Sequence, residues 1–268
     1  MVDDITTRES ALKSIIQKAG NLALQHFRSR RQGDFTLKGQ QDFLTEADAL
    51  VEEYIRDALF CQFPHDGLLG EETGGSIDTP SLWVVDPIDG TANFARGIEH
   101  FCVSIAFVHR GVTHLGAIYN PASNELYLAR RGRYVTKNDQ PLRVSSMQSM
   151  TSATIELGWS NRISTQTFLE ITNSLLQAGV NIRRGASGAL ALAWVAEGRT
   201  DGYVEQHMAA WDCLAGLLMV EEAGGRIGKF PENHEEIAKG GPIIAVTGAL
   251  ANDIAKASHI ELNNTAAL

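Results

Sequence analysis

Two acids, Asp86 and Asp89, stand three positions apart in the stretch Trp83-Val84-Val85-Asp86-Pro87-Ile88-Asp89-Gly90-Thr91-Ala92-Asn93-Phe94. The apolar run before Asp86 reads as the end of a buried strand. Pro87 has no N–H to give to a ladder, so the strand is expected to stop there. Gly90 is free to take a backbone conformation that other residues avoid. Both carboxylates then lie on one tight loop. At about 4 Å their repulsion is roughly 1 kcal/mol in water and about 4 kcal/mol near a protein surface. A cation between them reverses that sign, and carboxylates with a backbone carbonyl are hard ligands that suit magnesium. Asp-Pro and Asp-Gly are also ordinary turn dipeptides. This stretch by itself leaves both readings open.

Further acids fall at similar places. The run Gly67 to Gly70 ends in Glu71-Glu72-Thr73-Gly74-Gly75, a second strand end carrying acids and glycines. Two such ends can be neighbours in one sheet, and ligand sites gather where strands end. Asp48 lies three residues after Thr45, and Asp212 follows Trp211 in the first turn of an apolar helix. Either acid can simply favour the helix start, worth roughly 0.3 to 1 kcal/mol. Glu205, seven residues before Asp212, reads as an acid at the end of a strand. His207 between them reads as a polar strand-end residue rather than a base. Other chemistries find no support. There is no G-x-G fingerprint and no Walker-type loop. Gly185-Ala186-Ser187-Gly188-Ala189 lacks the last glycine of a nucleophile elbow.

The elements that must position these residues can be read in order. Residues 6 to about 30 have apolar positions at helical spacing, with Thr6 and Glu9 as a capping-box pair. A loop or short hairpin follows from Lys38, then a helix starting at Thr45 and limited by Pro64. After the polar connection 76 to 81 and the acid-bearing stretch, residues 101 to 109 and 112 to 119 read as a hairpin turned at His109-Arg110-Gly111. Glu125 to Ala129 and Tyr134 to Val135 are further strands. In the second half, strands are expected at 153–157, 181–184, 202–205 and 243–246. Helices are expected at 165–177, 187–196, 210–223 and 250–257. Helices followed by an antiparallel-looking run of strands make an α+β order. A boundary near residue 148 separates an N-terminal part, 1–148, from a C-terminal α/β part, 149–268.

A chain of 268 residues can bury a large core. Its 44% apolar and 21% charged residues are ordinary for a soluble globular protein. A net charge of −9 with no long basic run argues against general affinity for nucleic acid or anionic membranes. Three scattered cysteines without a Cys-x-x-Cys point to a reducing compartment. No signal-peptide pattern is visible at Met1-Val2-Asp3-Asp4 and no apolar run spans a bilayer, so the cytoplasm is the expected address.

Taken together, the motifs carry a resemblance. Trp83 to Phe94 resembles the first signature of the inositol monophosphatase family of magnesium-dependent, lithium-sensitive phosphatases. Trp211-Asp212-Cys213-Leu214-Ala215-Gly216, continuing to Glu222-Ala223-Gly224-Gly225, resembles the second. Gly70-Glu71-Glu72 and the Lys38 to Asp48 segment are similar to other family elements, in the family's order. The resemblance implies a layered αβαβα sandwich of the inositol monophosphatase and sugar bisphosphatase type, usually a homodimer. It implies Glu71, Asp86 and the Ile88 carbonyl as ligands of a first magnesium, and Asp86, Asp89 and Asp212 as ligands of a second. Glu71 also adjoins a third, weaker site. Gly90 and Thr91 match the phosphate-binding backbone and the hydroxyl that orients the attacking water, and Asp48 the acid bonded to that threonine. Glu205 matches an acid that binds substrate hydroxyls, with Ser187 and Gly188 in a loop lining the same pocket; Asp89 and Asp212 also face the substrate. The implied reaction is hydrolysis of myo-inositol monophosphate, a small phosphate monoester, by direct attack of water. A nucleotide 3′-phosphate, fructose 1,6-bisphosphate or histidinol phosphate is the sibling substrate, and a non-catalytic binding role on the same fold is the other class. Ala186 and Ala191 depart from the common pattern, which bears on the substrate. As a bare ligand in a repulsive cluster, Asp89 is expected to tolerate Asp89→Asn without loss of fold.

Overall fold

The longest amphipathic stretch forms the longest helix. Leu12, Ile15, Ile16, Ala19 and Ala23 recur at helical spacing and all are buried in α1 (Ile5–Ser29). The computed structural model describes residues 5–31, 33–39, 42–75, 79–230 and 237–263. Residues 1–4, Gln40 and Gln41 of the hairpin, and 76–78 of the polar connection lie outside these. The Thr6–Glu9 pair does not cap α1. Both residues lie inside the helix, and Glu9 accepts hydrogen bonds from Arg130 (2.7 Å) and Tyr134 on the neighbouring sheet.

The hairpin pairs β1 (Thr36–Gly39) with β2 (Asp42–Leu44) and leads into α2 (Glu46–Gln62). Seven strands then make one sheet, in the order of the chain. They are β3 (Gly67–Gly70), β4 (Ser81–Asp89), β5 (Cys102–His109), β6 (Val112–Asn120), β7 (Glu125–Arg130), β8 (Tyr134–Lys137) and β9 (Gln140–Pro141). Only β3 and β4 run parallel; the rest is an antiparallel meander. The short α3 (Thr91–Arg96) follows β4 directly. The second sheet has the order β11-β10-β12-β14-β13, from β10 (Thr154–Leu157), β11 (Asn181–Arg183), β12 (Gly202–Met208), β13 (Arg226–Ile227) and β14 (Gly241–Val246). Between and after these strands come α4 (Thr165–Gln177), α5 (Gly188–Glu197), α6 (Ala210–Glu222) and α7 (Ala251–Ser258).

Alternation along the strands builds the layers. Trp83 and Val85 of β4 face the core made with α1 and α2, while Leu82 and Val84 face α5 and α6. Likewise Ile243 and Ala245 of β14 face α5 and α6, and Ile244 and Val246 face α4 and α7. Helices, sheet, helices, sheet and helices therefore stack in five layers, a layered α+β sandwich. Because α5 and α6 are covered on both sides, they are apolar nearly all round. Among the described residues, no helix is long and apolar enough to cross a membrane.

Pro87 does not end β4. The strand continues to Asp89, and the partner register shifts from Asp86↔Ser104 to Asp89↔Cys102. Three residues on β4 oppose two on β5, so Pro87 sits in a bulge where no ladder donor is needed. Glu205 is not at a strand end either. β12 runs on to Met208 past its own irregularity between Glu205 and Met208.

Candidate active site

The parallel pairing of β3 with β4 places Gly70 opposite Val85. Both strands therefore end at the same edge of the sheet, and the acids that follow them meet. α6, packed on the same sheet, brings Asp212 in its first turn. Glu71, Asp86 and Asp212 each offer a carboxylate oxygen within 4.8 Å of the others. Burial pushes Asp86 and Asp212 well above the ordinary carboxylate range, and the two share a hydrogen bond. Burial also lifts Glu71 to about 7, although Lys38, 3.3 Å away, opposes this. Three acids this close, two of them raised well up by burial and by the charge of neighbouring acids, form a donor set that fits a hard divalent cation.

The bulge in β4 aims the neighbouring groups. Asp86 Oδ1 accepts the N–H of Ile88 (2.9 Å). The Ile88 carbonyl accepts the Thr91 hydroxyl (2.8 Å), which also lies 3.2 Å from Asp48 Oδ1. Asp48 closes a capping box at the start of α2: its Oδ2 accepts the Thr45 N–H (2.8 Å) and hydroxyl (2.6 Å). The two roles offered for Asp48 are thus divided between its two oxygens. Burial raises its pKa to about 6, against the lowering effect of Thr45.

Asp89 stands apart from the three-acid group. Its carboxylate caps α5, accepting the Ser187 hydroxyl and the N–H groups of Gly188 (3.1 Å), Ala189 (2.8 Å) and Leu190 (3.4 Å). Burial raises its pKa while these bonds oppose the rise. Asp89 is therefore not a bare acid, because helix N-terminal donors share its carboxylate, although its charge still acts on Asp86 and Asp212. Gly90, at φ 92°, lets the chain turn directly from Asp89 into α3; a Cβ there would lie 3.2 Å from the Ser187 Cβ.

These groups line one cavity of about 930 Å³. Its floor is Glu71, Asp86, Asp89, Thr91 and Asp212, and Ser187 and Gly188 form part of one wall. Glu205 lines the cavity, only 8% exposed, with Tyr203 donating to its carboxylate. Burial lifts it to about 7. The simple reading of an exposed strand-end acid fails, since a buried carboxylate facing a cavity sits in the strand's interior. His207 also lines the cavity, and its Nε2 meets the Lys239 carbonyl (3.0 Å).

Sequence reasoning missed two supports. Asn93 Nδ2 donates to the carbonyls of His100 (2.7 Å) and Gly185 (2.9 Å), clamping the Ser187 loop against α3. Buried Glu156 binds Arg183 and accepts the Gly185 N–H (3.0 Å) from the other side. Asn93 lies inside the first signature, yet its partner Gly185 is 92 residues away in sequence and only the fold brings the two together.

The five-layered sandwich, with clustered acids where β3, β4 and α6 converge, defines a class of carboxylate-rich, metal-fitting pocket on an α+β scaffold. The sequence profile of the inositol monophosphatase family matches residues 4–262, and the chain belongs to that family. It is 38% identical over 226 residues to an inositol-1-monophosphatase of Rhizobium meliloti, covering 81% of this chain and 85% of that protein. It is 37% identical over 229 residues to a protein of Pasteurella multocida named Nus factor SuhB, covering 84% of this chain and 85% of that one. Among solved structures, the extragenic suppressor protein suhB of Bartonella henselae superposes with a TM-score of 0.87 at 33% identity, covering 94% of this chain and 98% of that chain. The inositol monophosphatase of Anabaena superposes with a TM-score of 0.81 at 29% identity, over 94% and 95% of the two chains.

Proposed function

We propose that the chain is a magnesium-dependent phosphomonoesterase that hydrolyses myo-inositol monophosphate to inositol and phosphate. The observation that carries this reading is the gathering of Glu71, Asp86 and Asp212 within 4.8 Å on the floor of the cavity, which Thr91, backed by the buried Asp48, also lines. In this reading Glu71, Asp86 and the Ile88 carbonyl would hold one ion, and Asp86, Asp89 and Asp212 a second, with Glu71 beside a third, weaker site. Asp89 Oδ1 accepts the Gly188 N–H, and a carboxylate oxygen has two lone pairs, so it can serve an ion while capping α5. Bound magnesium supplies charge neutralisation for the phosphoryl group and makes water a better nucleophile.

The chain's own residues do the rest. Gly90 and Thr91 cradle the phosphate. Asp48 and the Ile88 carbonyl fix the Thr91 hydroxyl, which orients the attacking water. Ser187 and Gly188 bound the alcohol side of the pocket. Glu205, which can only accept hydrogen bonds once ionised, suits a polyol rich in hydroxyl donors. In this reading water attacks the phosphorus directly and the alcohol leaves, with no phosphoenzyme. The protein is a cytoplasmic homodimer, lithium-sensitive, with parts 1–148 and 149–268 meeting at this pocket.

The test is phosphate release over a panel of monoesters with magnesium, on wild type and Glu205→Ala. Inositol phosphate should be turned over, and Glu205→Ala should lose roughly 1.5 to 3 kcal/mol in kcat/KM for it. A plain aryl phosphate, lacking such hydroxyls, should be hydrolysed nearly as before. Equal losses on both substrates would move Glu205 to a supporting role. Turnover of a nucleotide 3′-phosphate, a sugar bisphosphate or histidinol phosphate in preference to inositol phosphate would keep the chemistry and change the substrate. A second reading, a binding role on this fold, is favoured by the name Nus factor that several relatives carry. No turnover of any ester by folded, magnesium-loaded protein would favour it.

A further inference from the structure

Glu52 is a carboxylate with no exposed surface, placed on α2 among Val51, Ile55 and Leu59, and the chemistry above gives it no part. It lies one helical turn after Asp48, so both acids point to the sheet face of α2. Asp48 reaches Thr91. Glu52 reaches the turn that carries Glu71.

The contacts are specific. Glu52 Oε2 accepts the N–H of Glu72 (2.9 Å), and Oε1 accepts the N–H of Thr73 (3.1 Å) and its hydroxyl. Arg56, four residues on along α2, donates to Oε1 (3.0 Å) and balances the charge. The turn lies directly on this carboxylate: a Cβ at Gly70 would sit 2.5 Å from Glu52 Cδ. On its other side the turn is tied to β4, where the Glu71 N–H meets the Val85 carbonyl (3.2 Å). Glu71 is thus fixed by its backbone from both sides, just where its side chain meets Asp86 and Asp212.

Fixing it has a purpose. Three neighbouring carboxylates repel, and a free turn would swing Glu71 outward to water. A buried acceptor that gathers the turn's N–H groups holds the ligand at its post before any ion arrives. We propose that Glu52 is a positioning residue for the metal centre, presetting Glu71 through the backbone of residues 70–73. This rests on the metal-centre reading given above, and it adds a dependence of magnesium affinity on a residue that touches neither ion nor substrate.

The test measures magnesium binding to the full chain by calorimetry, without substrate, for wild type, Glu52→Gln, Thr73→Val and Glu71→Gln. Turnover at saturating magnesium is measured beside it. Glu52→Gln keeps the shape but turns an NH2 group toward backbone donors. It should weaken magnesium binding by about 10- to 100-fold, while kcat at saturating magnesium and KM stay close to wild type. Thr73→Val, which removes one of the donors and leaves Glu52 in place, should weaken binding less, in the same direction. A role confined to α2 stability would lower the melting temperature and leave magnesium binding unchanged; that result for folded Glu52→Gln overturns the proposal. Should Glu52→Gln fail to fold, Thr73→Val decides, and unchanged binding there overturns it. Unchanged binding in Glu71→Gln would remove the metal-centre reading itself, and the proposal with it.

Discussion

Asp89 does two things at once, and its neighbours divide their work in similar fashion. It stands at the end of β4 and caps α5 nearly a hundred residues later in the chain. Asn cannot reproduce this: its amide offers one oxygen, uncharged, to donors that now meet two. Asp89→Asn should therefore lower stability by roughly 1.5 to 3 kcal/mol, the worth of charged hydrogen bonds, as well as turnover. Urea denaturation in chelator checks it, and an unchanged or higher midpoint would restore the view of a bare metal ligand. Thr91 and Asp48 separate orientation from binding. Thr91→Ala should cut kcat by about 10²-fold or more, in the range for proton-handling groups, with little change in magnesium affinity. Asp48→Asn should act in the same direction but less, because the Ile88 carbonyl still holds the hydroxyl. If kcat is untouched in Asp48→Asn, the capping bonds to Thr45 account for that residue.

At the scale of elements, the site depends on how closely α6 lies on the seven-stranded sheet. Gly116 of β6 permits the approach: a Cβ there would sit 2.9 Å from the Ala215 carbonyl oxygen and 3.0 Å from its Cα. These are backbone atoms and cannot rotate aside. On the adjoining face of α6, a Cβ at Gly216 would lie 2.4 Å from the Leu192 Cβ. The helix thus lies close against both β6 and its layer neighbour α5, without a side chain's width to spare. Gly116→Ala should cost about 1 to 3 kcal/mol, as overpacking does. It should also weaken magnesium binding, since Asp212 rides on the same helix. Denaturation and calorimetry on the one variant test both. Loss of stability with wild-type magnesium affinity would show that α6 relaxes without moving Asp212.

Across the whole molecule, the cost of the pocket is electrostatic. Glu71 and Glu205 lie near 7 against an ordinary 4.5, and Asp48 near 6 against 3.8. These acids are raised on folding, so between the ordinary and the raised values the native state holds more protons than the unfolded chain. Their contribution is then most favourable below about pH 4 and is lost as pH rises through about 6 to 7. Metal-free protein should become less stable from about pH 5 to about pH 8 on this account. Magnesium favours the ionised acids, so its stabilising effect should grow over the same interval. Melting temperatures in chelator and in saturating magnesium, taken across that range, provide the check. A chelated protein that gains stability toward pH 8 would mean that burial does not raise these acids.

Residue patterns by themselves determined a good deal. Periodicity showed the long helices: 165–177 was read with the bounds that α4 has, because a buried face at helical spacing is a local property. The β5–β6 hairpin was legible from its apolar runs and its His109-Arg110-Gly111 turn. Strand-ending acids at 71 and 86 could be placed side by side, since short parallel neighbours end at one edge. Local signals failed where a partner supplies the reason. Pro87 looked like a stop, and only pairing with β5 makes it a bulge. Two residues at β13 show no period and are a strand only because β14 lies beside them. Thr6 and Glu9 match a cap by spacing, but Arg130 and Tyr134, distant in sequence, claim the acid. The same holds at the pocket. Type and motif mark Asp48, Glu71, Asp86, Asp89, Glu205 and Asp212 as candidate site residues. That Asp86 and Asp212 hydrogen-bond each other, that Asp48 and Asp89 cap helices and that Glu205 faces the cavity was decided by the tertiary structure, because burial and hydrogen-bond partners come from residues the local sequence does not contain.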